Sequence, residues 1–317
     1  MNLAYNKKWS YSLFLCFILI LSACGKTEND NNTADKKQET VTITHELGTT
    51  EVPANPKRVV TLELGLTEAV AAFDVIPVGV ADDDKPERIA KNVYEKIKGY
   101  TSVGTRAQPN LEIIRTLNPD LIIADKGRHE SIYKELSDIA PTVAFNDDTA
   151  DYHTVLENTK SIAKALGKEK EGQAFIQEHE NTVQKLKEEL KSADQKVLIA
   201  GYGEGNIFDV QSSSFFTPSF LTSIGVPYAL VDEKETSNEM TIEQLLKINP
   251  AILIVSINEE EPSVKETLKN DKLWNKLEAV KTGKVYEVNQ NDWSRRRSLS
   301  AINDRIQEFE EIFVHNE

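Results

Sequence analysis

Cysteine is nearly absent: the 317 residues hold two, Cys16 and Cys24, both close to the N-terminus. No disulfide framework runs through the body of such a chain, so the core alone has to stabilise it. Positive charge is scarce as well. Lys and Arg total 37 against 51 Asp and Glu, a formal net charge of −14, and no block of Lys/Arg exceeds three residues. The chain therefore offers no global field to nucleic acid, although a local arginine cluster still acts within the screening length of roughly 8 Å. Histidine is sparse and scattered. His45, His129, His153, His179 and His315 form no cluster of the kind that direct capture of zinc or manganese requires. There is no G-x-S-x-G elbow, H-E-x-x-H or P-loop lysine, and Gly201, Gly203 and Gly205 lack the helix-opening context of a dinucleotide fingerprint, which argues against an enzyme.

Long apolar runs are missing too. The longest, residues 13–21 (LFLCFILIL), is shorter than the roughly 20 residues of a membrane-spanning helix and follows Lys7 and Lys8, as in a secretion signal. Directly behind it, Leu21-Ser22-Ala23-Cys24 resembles the lipobox of bacterial lipoproteins. That resemblance implies cleavage of residues 1–23 with loss of Cys16, acylation of Cys24, and anchoring to the outer face of the cytoplasmic membrane in a Gram-positive cell. The polar stretch to residue 40 cannot offset the entropy of ordering itself. Residues 24–40 then form a lipid-anchored tether about 20 Å long.

Residues 41–317 are ample for two domains. Short apolar runs at 59–62, 75–80, 120–124 and 141–145 alternate with amphipathic runs at 65–73, 109–117, 132–139 and 152–166, the signature of a parallel α/β lobe over 41–167. Residues 168–193 carry Phe175, Ile176, Val183, Leu186 and Leu190 near one helical face, with no proline, and predict one long stiff helix. Beyond it the alternation resumes over 194–317: strands at 196–200 and 285–288, helices at 215–224 and 299–314. Residues 111–123 and 242–254 echo each other at a constant offset of 131, each a helix, an Asn-Pro turn and a buried strand. The fold class is α/β: two Rossmann-like lobes with mostly parallel sheets, joined by one long rigid helix, with a ligand cleft between them.

Ligands of parallel α/β lobes bind outside the carboxyl ends of strands, and the arginines gather in those loops. Arg106 precedes a helix start, Arg128 and His129 follow a strand, and Arg295, Arg296 and Arg297 follow Trp293. A guanidinium fork holds carboxylate bidentately and stays charged, so such a set suits a polycarboxylate anion. Solvation or pairing with nearby acids remains the open alternative for each.

Within residues 59–168, Leu62-Glu63-Leu64, the run from Asp74 to Asp83, the run from Val103 to Glu112, the run from Pro119 to Asp125, and Arg128-His129 with Ile139-Ala140-Pro141 closely resemble ferric dicitrate-binding proteins. These belong to the ferric siderophore and vitamin B12 binding proteins that serve ATP-driven importers. The second half retains Glu243-Gln244-Leu245-Leu246, Asn249-Pro250, and Trp293 with Arg295 and Arg297. The resemblance implies a monomeric carrier without a cofactor, which holds ferric iron through its chelator, ferric citrate first. Another ferric siderophore, catecholate or hydroxamate, or a free metal ion stand as alternatives. It further implies that Arg106, Arg128, Arg295 and Arg297 meet citrate carboxylates, with Trp293 as a wall and Tyr202 within reach. Arg296 stands where the family pattern has an apolar residue; Glu63 either pairs with an arginine or is solvated, and His129 either donates to the ligand or lies on the surface. Glu112 and Glu243, one per lobe, would dock on arginines of the ABC permease, though both also sit where a helix N-terminus favours a carboxylate, and Thr241 with Gln244 fits a capping box.

Charge reversal at Glu112 and Glu243 together is expected to leave chelate binding intact and abolish uptake; unchanged uptake of labelled iron would exclude the docking role.

Overall fold

The computed structural model describes residues 39–190, 195–231, 237–258 and 262–314. The signal, Cys24, most of the tether, residues 191–193 of the expected connecting helix and His315 lie outside the described residues. The chain enters through an antiparallel hairpin, β1 (Thr40–His45) and β2 (Gly48–Pro53), which alternation alone did not reveal. Ile43 and Val52 on its inner face join the core of the first lobe.

The first sheet contains β3 (Val59–Thr61), β4 (Gly79–Val80), β5 (Thr101–Ser102), β6 (Leu121–Asp125) and β7 (Thr142–Phe145) in the order β5-β4-β3-β6-β7, all parallel. Of the run expected as a strand at 75–80, only Gly79 and Val80 pair. Val59, Leu121, Ile123 and Val143 face one packed layer, and Val60, Ile122, Ala124 and Ala144 the other. Period-2 alternation is thus hidden in continuous apolar runs because both faces are covered. The strand order switches direction between β3 and β6, which opens a crevice at their carboxyl ends.

The second sheet, β8 (Val197–Gly203), β9 (Ile207–Gln211), β10 (Ser237–Met240), β11 (Ile252–Ile257) and β12 (Val285–Asn289), has the order β10-β9-β8-β11-β12. β8, β11 and β12 pair in parallel, and β9 alone is reversed, pairing antiparallel with β8 on one side and with the edge strand β10 on the other. The echo between the lobes is structural: Asn118 and Asn249, each before its proline, take left-handed φ of 45° and 46° ahead of β6 and β11.

Helix Glu169–Glu189 leads from the first lobe toward the second, and helix Tyr152–Ala165 packs along it. Both serve two cores. Ile162 and Ala163 pack in the first, Val155, Ile176 and Leu186 in the second, and Phe175 touches each. Their turn passes Gly167 at φ +68°, where a Cβ would stand 2.2 Å from Ala54 O. The closing helix expected at 299–314 is two, Leu299–Asp304 and Ile306–Phe313, broken at Arg305. There the buried guanidinium turns back to donate to Ala301 O at 2.8 Å and lies over Trp293 and Phe309.

The lobes meet through ions. Arg296, 4% exposed, donates from Nε to Glu68 Oε1 of helix Leu64–Ala72 at 2.5 Å, from Nη1 to Asp292 at 2.8 Å and from Nη2 to Asp304 at 2.6 Å. Ser298 Oγ donates to the second oxygen of Glu68. Arg296 therefore closes the seam between lobes rather than facing a ligand. Beside it, a Cβ on Gly65 would lie 2.5 Å from Arg297 O and 2.5 Å from Asp147 Oδ1, so the backbones approach there as only glycine permits.

Arg296→Met is expected to lower stability by about 3–5 kcal/mol, because Glu68 is left charged in a buried site. Arg296→Met with Glu68→Leu should recover most of that loss in urea denaturation; no recovery would count against the ion pair as the cause.

Candidate functional site

The carboxyl ends of the five first-sheet strands converge on one charged network. Just after β3, Glu63 caps helix Leu64–Ala72, its Oε1 accepting from Leu64 N at 2.9 Å. The same carboxylate, 0% exposed, receives Arg106 Nη1 at 2.6 Å on Oε1 and Arg128 Nε at 2.8 Å on Oε2. Of the two readings of Glu63, the geometry selects the paired one. Past β4, Asp83 holds Arg106 doubly, accepting the backbone N–H at 2.8 Å and Nε at 2.8 Å, and also takes Arg88 Nη1 at 2.5 Å. Burial alone would raise the Asp83 carboxyl, but the Arg106 hydrogen bonds and charge, with Arg88 behind them, hold it at about 2.

At the last residue of β6, Asp125 caps the turn by accepting from Arg128 N at 2.8 Å and reaches toward the end of β7 to accept from Asp147 N at 2.8 Å and Asp148 N at 3.1 Å. Asp148 then pairs with Arg128 Nη2 and lies 3.7 Å from Arg297 Nη1 of the second lobe. Asp147 is fully enclosed. Burial and then the charge of Glu63 push its carboxyl well above the usual range, against the pull of Arg297. Among the described residues its Oδ2 and Arg297 Nε are buried without a partner.

Arg106, Arg128 and Arg297 are thus brought together. Arg295 stands apart on the second lobe, its Nη1 donating to Asn291 Oδ1 at 2.6 Å and Asn258 Oδ1 at 3.4 Å. Tyr202, near the end of β8, donates its hydroxyl to Asn206 Oδ1 at 2.5 Å. Trp293 is not a cleft wall. It is 1% exposed, gives its indole N–H to Glu308 at 2.7 Å and packs against Phe309, because the chain after β12 turns its apolar side into the second core. His129 is neither ligand donor nor surface group. It is buried; Nδ1 accepts from Asp125 N at 3.0 Å, which leaves Nε2–H to donate to Arg106 O at 2.7 Å. Burial holds its pKa below the ordinary value, so the neutral imidazole serves as a strut beneath Arg106. Glu112 and Glu243 are both exposed in first helical turns, and Thr241 and Gln244 form the expected capping box.

Sequence reasoning missed Arg88, Asp83, Asp125, Asp147 and Asp148. The paired aspartates directly behind strands were the available signal, since a carboxylate there caps the turn and faces the crevice. Among the described residues no three His, Cys, Asp or Glu side chains are grouped to hold a metal ion. What the network can do chemically is present oriented guanidinium N–H groups to an anion.

A family model described as periplasmic binding protein matches residues 59–291. The putative ABC transporter substrate-binding lipoprotein YhfQ of Bacillus subtilis (strain 168) is 40% identical over 316 residues, covering 94% of this chain and 97% of that protein. The Fe(3+)-citrate-binding protein YfmC of the same organism is 40% identical over 291 residues, covering 92% and 91%. Among solved structures, Staphylococcus aureus SirA complexed with staphyloferrin B matches with a TM-score of 0.74 at 26% identity, over 86% of this chain and 98% of that one.

Asp83 has its carboxyl depressed from 3.8 to about 2 in the folded state, so its stabilising effect is whole above about pH 4 and is lost as pH falls toward 2. The gap in thermal midpoint between the parent protein and Asp83→Asn is therefore expected to narrow across that window. A gap unchanged down to pH 2 would show that the ion pairs do not set it.

Proposed function

The chain belongs to the periplasmic binding protein family, and from that premise we propose that it is the lipid-anchored substrate-binding protein of an ABC importer, capturing ferric citrate or a closely related anionic ferric chelate. One observation carries the reading: guanidinium groups from both lobes, Arg106, Arg128 and Arg297, gather where the first sheet presents its strand ends. The name of YfmC points to the same cargo.

The chemistry rests on how the arginines are held. Arg128 spends Nε on Glu63 and Nη2 on Asp148 and keeps Nη1, which carries no hydrogen bond among the described residues. A donor fixed in this way meets a chelate carboxylate without the side-chain ordering cost that a solvated arginine incurs. The surrounding carboxylates temper the positive field, which favours release at the permease as well as capture. Iron needs no protein ligand in this scheme, since citrate oxygens supply its coordination. On the membrane side, Cys24 would carry the lipid, in keeping with the lipoprotein names of relatives.

Titration with ferric citrate, a ferric hydroxamate and a ferric catecholate tests the assignment. Ferric citrate is expected to bind, and Arg128→Ala to weaken it on the order of tenfold to a hundredfold, the worth of a charge-assisted hydrogen bond. Binding of another chelate without ferric citrate would refute the cargo and leave the carrier class standing. Cys24→Ser should move the protein from the membrane fraction to the medium.

A further inference from the structure

A cavity of about 570 Å³ lies on one flank of the charged network, walled by both lobes. Pro86, Arg88, Ile89 and Tyr94 line it from the first lobe, and Asn289 and Asn291 from the second. Its size falls within the roughly 300–1,000 Å³ of small-molecule sites. Its walls touch both arginine groups. Arg88 shares Asp83 with Arg106, and Asn291 accepts from Arg295.

We propose that Arg88 is a further specificity-determining residue, binding a carboxylate of the chelate from this flank cavity. The count of unused donors sets it apart. Arg106 spends Nε, Nη1 and Nη2 on Glu63 and Asp83, and Arg128 spends Nε and Nη2. Arg88 spends only Nη1, on Asp83, and among the described residues its Nε and Nη2 carry no hydrogen bond. Its side chain is 22% exposed, enough to be reached and enclosed enough to be oriented. Nε and one Nη are the edge that grips a carboxylate bidentately. Asp83 steers the guanidinium from behind while that edge stays open, an arrangement that suits an anionic, carboxylate-bearing ferric complex and gives a neutral one nothing. This assignment rests on the chelate-binding reading above.

The test compares the parent protein, Arg88→Ala, Arg88→Lys and Glu87→Trp by equilibrium dialysis of radiolabelled iron as ferric citrate and as a ferric catecholate, with thermal melts alongside. Glu87 lines the same cavity, and its replacement removes a negative charge while filling space, so weaker binding there reports occupancy and not electrostatics. Expected are a loss of about tenfold or more for Arg88→Ala, a partial loss for Arg88→Lys and a loss for Glu87→Trp, with melts that show each variant folded and Arg88→Ala lowered only by the loss of one partner of Asp83. Parent-like affinity in Arg88→Ala overturns the proposal on its own. A loss in Arg88→Ala with none in Glu87→Trp also overturns it, since Arg88 would then act only through Asp83 on Arg106. If the parent protein binds neither chelate, the carrier reading itself fails and takes Arg88 with it.

Discussion

Glu63 has no contact with water, yet it accepts from two arginines and from the first N–H of its own helix. A buried carboxylate is tolerable only when its lone pairs are satisfied by charge, and here that requirement dictates where Arg106 and Arg128 stand. From them the constraint spreads: Arg106 pins Asp83, and Arg128 pins Asp148 and is capped by Asp125. In this way one carboxylate registers the loops behind all five strands of the first sheet. His129, wedged under the Arg106 carbonyl, keeps that loop from sagging into the core.

The same logic governs the seam. Arg296 and Glu68 are each nearly inaccessible, and neither can leave the other without stranding a charge. Together with two helices that serve both cores, this pair ties the lobes to each other. Any hinge motion between the lobes would have to break this pair.

The strand and helix alternation, the Asn-Pro echo and the capping box were legible in the sequence because each rests on contacts within a dozen residues. What lay further apart was hidden. Glu63 and Arg106 are 43 residues apart, and nothing in local spacing says that they meet. Trp293 illustrates the same limit: its indole partner, Glu308, sits on a later helix whose pattern announces only an apolar face. The two-residue β5 carries too little periodicity to register, β4 is only the end of the run read as a strand at 75–80, and β9 and β10, which pair antiparallel, were not legible as strands. Arg296 stood out against an apolar residue in the family pattern, and its buried partner Glu68 belongs to the other lobe, 228 residues away.

The two sheets are built unequally. Five parallel strands of the first all end at the crevice, whereas in the second β9, between β10 and β8, runs against the other four. On the carrier reading proposed above, the cross-braced loops of the first lobe are the receptor and the second lobe is its cover. A lineage adapting to a new chelate can rework the cover one residue at a time, while any change to the receptor has to be matched by its neighbours. Divergence of cargo should accordingly be written mainly in the second lobe.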